Sequence, residues 1–350
     1  MRSRCSDQFS AGPGNAGRAI ERENILRRYL AAFCALVLAA PTATNASVDY
    51  PERTIKIIVP VAPGGGPDLA ARIVAQKLSE LVGKPVVVEN RTGANGNLAG
   101  QAVAQAPPDG YTLLLATDNL IVVNPSLYKN MLFDPAKDLV PLTTVTSNSF
   151  VLSVNPSVPV TTLPEFVDYA RRADPPLAYA SAGIGSQHHL LMEMLNERAG
   201  IKMLHVPFRG GVPAVTATIA GTTQATFSGG ASSAPLVASG MLRALGVSGS
   251  ERAKSFPGVP AIAEYYPGYE GLVWSGLFAP ASTPEPIVAR LRALMRQILA
   301  DPEIRGKLNS AGGLDPYFST PEEFRALIAR DIEKYGKLVK KIGISLDDAR

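Results

Sequence analysis

Apolar residues occur along this chain in short runs that alternate with longer stretches of helical spacing. The run Ile55-Lys-Ile-Ile-Val59 reads as a buried strand and passes into Val61-Ala-Pro-Gly-Gly-Gly66. Apolar positions then recur at Leu69, Ile73, Val74, Leu78, Leu81 and Val82, the spacing of a helix with one buried face. Gly83 and Pro85 end that helix. Val86–Val88 reads as a second strand, Glu89–Asn97 as a second glycine-rich turn before a helix to about Gln105, and Tyr111–Ala116 as a third strand after the turn Pro107–Gly110. Strand, helix, strand, helix, strand is the order of a parallel sheet covered on both faces.

The stretch from Leu139 to Val154 is β-rich and separates this unit from a second one of the same plan, so it reads as the first crossing between two lobes. Thr162-Leu-Pro-Glu165 is a capping box with proline inside the first turn. A strand over Leu177–Ser181 enters Ala182-Gly-Ile-Gly-Ser186 and a helix that runs to Ala199 and stops at Gly200. Further strands are expected at Lys202–Val206, Gln224–Phe227 and Leu242–Val247. The Pro-, Gly- and Tyr-rich segment from Pro257 to Trp274 reads as the return crossing, and helices at about Pro286–Ala300 and Pro321–Ile342 complete the first lobe. The expected division is a leader over 1–46, a first lobe from 47–148 with 270–350, and a second lobe over 149–269.

The leader is read from Arg27 and Arg28 before the apolar run Tyr29–Ala40, followed by Pro41 and small residues. That run is short for a membrane span and fits a secretory signal peptide, with cleavage expected after Ala46. Residues 1–24 form a polar extension that such peptides lack, and no methionine stands between Met1 and Met131. Translation is therefore expected to start near Ile25 or Leu26 from a non-Met codon. Cys5 and Cys34 both fall in the leader, and the bulky Phe33 speaks against lipidation at Cys34. The remainder has no thiol chemistry. The leader also carries six Arg and three acids, so the +4 chain leaves 28 basic against 27 acidic side chains and a net charge of +1. A balance so near zero excludes nucleic-acid binding through a basic surface.

Glycine-rich turns after a strand either serve a tight turn alone or bring backbone N–H groups close to a ligand. Gly64, Gly65 and Gly66 form one such turn and Ala182-Gly183-Ile184-Gly185-Ser186 another, each before a helix. Facing each other, two helix starts would hold an anion, most simply a carboxylate. A dinucleotide site is the rival reading, with Glu89 as its ribose acid, but the third glycine position is Leu69 and Pro67 stiffens the turn. Gly83-Lys84-Pro85 is no phosphate loop, and no Gly-x-Ser-x-Gly elbow occurs. The histidines are His188, His189 and His205; His189 and Glu193 share a helix face without a third metal ligand, so His189 reads as a helix-start contact to backbone or ligand. Asp68 reads as a first-turn acid paired with Arg72 and open to a ligand donor. Ser181, Ser186, Thr117, Asn119 and Ser228 end predicted strands, where open α/β sheets bind ligands and where capping is the plainer role. Arg209 is either a ligand cation at that edge or a solvated loop charge.

These residues resemble a known family over nearly all of the chain beyond the leader. The resemblance is carried by Pro60-Val-Ala-Pro-Gly-Gly-Gly-Pro-Asp68, Gly93-Ala-Asn-Gly96, Pro108-Asp-Gly-Tyr-Thr-Leu-Leu114 and Asn124-Pro125. It continues with Ser181–Ser186, His189-Leu190, His205-Val-Pro-Phe-Arg-Gly210, Leu242–Leu245, Val259-Pro260, Glu264, Trp274–Leu277 and Ala279-Pro280. The sequence is similar to the tripartite tricarboxylate transporter substrate-binding proteins, the Bug family of extracytoplasmic solute receptors. That implies an α/β type II periplasmic binding protein, a Venus flytrap of two doubly wound lobes joined by two crossover strands, with no enzymatic activity, cofactor or metal. It implies a monomer that closes on a small organic anion, whether mono- or dicarboxylate, aromatic acid or amino acid, and passes it to two integral membrane permease subunits. No nucleic acid is involved. By matching position the ligand loops are Ala62, Pro63 and Gly64 to Asp68, and Ser181 to Ser186, with Thr117, Phe208 and Arg209 beside them. Pro67 departs from the pattern, standing after a glycine where many relatives offer a hydroxyl and an N–H. The contrasting readings are a receptor that signals to a sensor and a secreted hydrolase or oxidoreductase.

N-terminal sequencing of the unprocessed precursor tests the leader: the expected first residue lies near Ile25, and recovery of Arg2 or Ser3 overturns that start.

Overall fold

A computed structural model describes residues 50–311 and 314–348. The expected leader, both cysteines and the expected cleavage site lie outside them. The first strand, β1 (Ile55–Val59), is almost wholly buried. It pairs in parallel with β2 (Val86–Asn90) on one side and β3 (Thr112–Thr117) on the other. Between them run helix α1 (Gly66–Val82), closed by Gly83 in the left-handed conformation, and α2 (Asn97–Ala104). After two short and largely buried helical segments, Asn119–Val123 and Asn124–Leu127, the strand β4 (Tyr128–Asn130) pairs with the C-terminal β12 (Leu346–Asp348).

The expected β-rich stretch is one continuous strand, β5 (Leu139–Val154). The second unit contains α3 (Leu163–Arg172), which has the predicted capping box, then β6 (Ala178–Ser181), α4 (Gln187–Ala199), β7 (Leu204–Pro207) and α5 (Gly211–Ile219). After these come β8 (Ala225–Gly229), α6 (Gly230–Ala238) and β9 (Arg243–Val247). Strands β6, β7 and β8 are mutually parallel, with β6 in the middle. The chain returns through β10 (Leu272–Pro280), then α7 (Glu285–Ala300), α8 (Pro302–Ser310), the two-residue β11 (Asp315–Pro316) and α9 (Pro321–Ile342). Asp301 caps α8, a helix too poor in apolar residues to be read from spacing alone.

The two halves repeat one strand order. In the first, β2, β1 and β3 are followed by antiparallel β10 and then β5; in the second, β7, β6 and β8 are followed by antiparallel β5 and then β9. Each half thus takes its antiparallel strand from the segment that crosses between them. Strand β5 pairs with β10 from Leu139 to Ser149 and with β8 from Phe150 to Val154. Ser248 ties the two crossings together. Its backbone N–H donates to Phe150 O at 2.8 Å, its Oγ accepts from Phe150 N–H at 2.9 Å and donates to Gly271 O at 2.6 Å, and its carbonyl accepts from Gly271 N–H at 2.7 Å.

One buried cluster lies beneath α1 and α7 in the first half, and a larger one runs without a break from β3 through α4 and β10 to α9. In the larger cluster the Trp274 ring meets the edge of Phe324 at 5.3 Å, and Phe278 packs on Phe324 at 5.2 Å. Gly276 makes room for them, since a Cβ there would stand 2.4 Å from Phe324 Cζ. No helix among the described residues is long and apolar enough to cross a membrane. Phe324→Ala is expected to cost about 3–5 kcal/mol, the cavity penalty of a buried phenylalanine. The urea midpoint of unfolding measures it.

Candidate functional site

Where strand order reverses in an open α/β sheet, a crevice opens beyond the carboxyl ends of the strands. Here that point falls beside β1 in the first half and beside β6 in the second, so the loops after these two strands occupy it. The loop after β1 is held from behind. Asp68, 1% exposed, accepts the N–H of Gly64 at 2.8 Å and Arg72 Nε at 3.1 Å on Oδ2, and Asn90 Nδ2 at 2.8 Å on Oδ1. Asn90 also donates to Val61 O at 3.0 Å. Burial alone would raise the Asp68 carboxyl, but the hydrogen bonds from Arg72, Gly64 and Asn90 outweigh it and hold the group below its ordinary value.

Asp68 is therefore a framework group whose oxygens are already engaged, while Ala62, Pro63 and Gly64 are exposed and Gly65 and Gly66 half-buried. No side chain caps the start of α1. Its first-turn N–H groups are those of Gly66 and Asp68, because Pro67 has none.

The loop after β6 is organised by its own side chains. Ser181, fully buried, accepts the Gly183 N–H at 3.1 Å and lies 2.6 Å from His205 Nε2. Ser186 donates to Gly183 O at 2.7 Å and caps α4 by accepting the His189 N–H at 3.4 Å. The His189 ring takes the N–H of Gly185 on Nδ1 at 3.1 Å and stacks on His205 at 3.9 Å. Gly185 has a φ of +77° and a Cβ there would stand 2.1 Å from Leu127 Cδ2, so only glycine fits. The expectation of two open helix starts thus needs revision: α4 is capped from within. The uncapped starts in this half are those of α5 and α6, after Gly210 and Gly229.

The remaining sequence candidates fall in different places. Phe208 is half-buried and its N–H donates to Ser181 O at 2.9 Å, whereas Arg209 is exposed and makes no ion pair among the described residues. Thr117 and Asn119 are half-buried at the end of β3, and the Asn119 N–H donates to Asp118. Ser228, 1% exposed, is bonded to Ser233 at 2.6 Å and is internal. Ala182 and Gly183 are half-buried.

Several residues at the crevice carry no motif signal. The turn before α2 connects the two loops: a Cβ at Gly96 would stand 2.8 Å from Pro60, and Asn95 Nδ2 donates to Ile184 O at 3.1 Å. At the centre of β5, Ser147, Asn148 and Ser149 form a half-buried polar interruption in a strand that is buried on either side of them. Asn148 Nδ2 is 3.8 Å from the Cβ position of Gly229. His188 sets its ring edge-on to Phe150 at 5.0 Å, with Nε2 3.0 Å from the Cβ position of Gly211. The polar interruption was visible in the sequence; the convergence was not.

Burial pushes His188 and His205 down to about 4, and burial with the neighbouring His205 pushes His189 down to about 3. An unfolded histidine takes its proton at the ordinary value of 6.5, so acid favours the unfolded chain throughout the window between these values. Asp68, with its lowered folded value, adds the same sign at lower pH. Asp118, whose buried carboxyl is raised, works in the opposite sense, so the test uses Asp118→Asn: its urea midpoint is expected to be level above about pH 7 and to fall as pH drops from about 6.5 to about 4, and a level midpoint through that window contradicts the neutral histidine stack.

Residues 70–344 match the family model described as "Tripartite tricarboxylate transporter family receptor". The chain is 33% identical to Protein BugT of Bordetella pertussis over 92% of this chain and 99% of that one. Among solved structures, R. palustris Rpa4515 with adipate is 32% identical and superposes with a TM-score of 0.78, covering 85% of this chain and 99% of that chain. MatC from Rhodopseudomonas palustris with bound malate is 30% identical with a TM-score of 0.73, covering 83% of this chain and all of that chain.

Proposed function

This chain belongs to the tripartite tricarboxylate transporter receptor family, and from that membership we propose that it is a periplasmic receptor that captures a small carboxylate between two lobes and delivers it to a membrane permease. The lobes in this reading are 47–148 with 270–350, and 149–269. Ligand exchange needs no bond chemistry, in keeping with a family of receptors and not of enzymes. The observation that carries the reading is the loop Ala62–Gly66. Its backbone faces outward at an uncapped helix start while the buried Asp68 fixes it from beneath through the Gly64 N–H, an arrangement that leaves the N–H groups of Gly66 and Asp68 to an anion.

The ligand's first carboxylate sits against Gly64, Gly65 and Gly66, and the second lobe closes over it with Ala182, Gly183 and the starts of α5 and α6. Ser181, Ser186 and His189 act from behind by shaping their loop. Thr117, Asn119, Phe208, Arg209 and the crossover residues Ser147, Asn148 and Ser149 line the far end, where the second polar group of the ligand is met. Adipate and malate, the acids held by the two solved relatives, are the first ligands to try. Lobe closure presents a surface to two permease subunits, and only a ligand that touches both lobes shifts the equilibrium toward it.

Calorimetric titration of the processed protein with aliphatic and hydroxy dicarboxylates, aromatic acids and amino acids is expected to give binding heat for at least one acid and a rise in melting temperature with it. Asp68→Asn, which keeps the shape but removes the charge that organises the first loop, is expected to weaken that binding about tenfold, or about 1.4 kcal/mol, near the low end for a hydrogen bond to a charged group. Neither heat nor a melting shift with any of these acids overturns the reading.

A further inference from the structure

Behind the second loop lies a buried polar chain that ligand binding as described does not use. Asp118, at the end of β3, is fully buried; its Oδ1 accepts the Asn119 N–H at 2.8 Å and its Oδ2 accepts Nε2 of Gln187 at 2.6 Å. Gln187 is the first residue of α4, directly after the loop ends at Ser186. The chain continues through Trp274, whose backbone N–H favours the ionised Asp118 carboxyl and whose indole donates to Asp331 Oδ2 at 2.8 Å. Asp331 faces Lys334 at 3.1 Å and Arg330 at 3.5 Å on α9. The buried Tyr335 hydroxyl lies beside the Gln187 amide.

We infer that the Asp118–Gln187 hydrogen bond is the latch of the receptor, made when the lobes close and broken when they part, so that these two side chains position the second ligand loop. The inference rests on the two-lobed receptor reading. Gln187 travels with the second lobe and Asp118 with the first, and the bond between them is the fully buried companion to the more exposed Asn95–Ile184 contact. Parting the lobes hydrates both partners, so the bond gains its strength only when the interface is dry. The net worth of one such bond against water is small, so it does not close the lobes by itself and the ligand decides.

A proton belongs to this latch. Burial pushes the Asp118 carboxyl well above the usual carboxylate range, and the nearby Asp331 adds to that; the N–H bonds of Asn119 and Trp274 and the charge of Lys334 oppose it. The titratable groups facing Asp118 are Asp331, Lys334 and Tyr335, all on α9; β10 and α4 bring only the neutral Trp274 and Gln187. A glutamine suits both protonation states, donating to the carboxylate or, with its amide turned, accepting from the acid. In open, hydrated form the carboxyl ionises at its ordinary value, so closure takes up a proton and the closed fraction falls as pH rises.

The sequence has no cysteine beyond Cys34, so Thr92→Cys and Val212→Cys, both exposed and one on each lobe, allow paired spin labels on the processed protein. Their distance distribution without ligand is measured at pH 6 and pH 8 in the parent and in Asp118→Asn, Gln187→Leu and Gln187→Glu, each checked for a cooperative melt. The expected result is a short-distance fraction that grows severalfold from pH 8 to pH 6 in the parent, loses its pH dependence in Asp118→Asn, and shrinks at both pH values in Gln187→Leu. Gln187→Glu, which sets two carboxyls side by side, opens most at pH 8. Equal distributions in all four proteins, or a pH response that survives in Asp118→Asn, overturn the latch. Calorimetry of the unlabelled parent with the panel of acids named above keeps the two readings apart: failure to bind any of them counts against the carboxylate receptor, whereas the ligand-free distances still decide the latch.

Discussion

Everything in this molecule depends on one strand being shared. Strand β5 is the outer strand of one sheet over its first part and the antiparallel inner strand of the other over its last residues, and β10 makes the reverse crossing. Neither half has a complete sheet without backbone from the crossing segments. Hydrogen bonding of a buried strand cannot be left unmade, so the halves are obliged to fold as partners. The crevice between the two sets of parallel strand ends follows from that arrangement.

At the crevice the labour is divided by depth. The groups with strong chemistry, Asp68 under the first loop and the His189–His205 stack under the second, face inward and are spent on holding backbone. What remains at the surface of the loops is mostly peptide. For the binding proposed above, backbone held in place beforehand lowers the ordering cost. The net charge of +1 over residues 47–350 supplies no field of cations beside these placed dipoles.

Elements with strong local signals were legible in the sequence. The helix Pro321–Ile342 has its capping box at Thr320 and Glu323 and its stop at Gly343, and the structure starts and ends it there. The helix Pro302–Ser310 was missed because its apolar positions are few and its stability comes from packing on the first half. The glycine loops were found by their composition, yet their opposite internal economies were not: an acid four residues after Gly64 and a serine at the start of α4 look alike as helix-start residues. Asp118 and Gln187 were invisible for another reason, being far apart in sequence and joined only by the fold. Long-range pairing of polar residues leaves no period to read.

Ser248, with its four short bonds to Phe150 and Gly271, has a mechanical consequence. The two crossings cannot slide past one another or twist separately without breaking bonds in a dry place. In the two-lobed receptor proposed above, that places the serine at the hinge. A receptor hinged so tightly would present one closed outline, whichever acid filled it. A partner touching only its outside would then learn that the receptor is full, and nothing of what it holds.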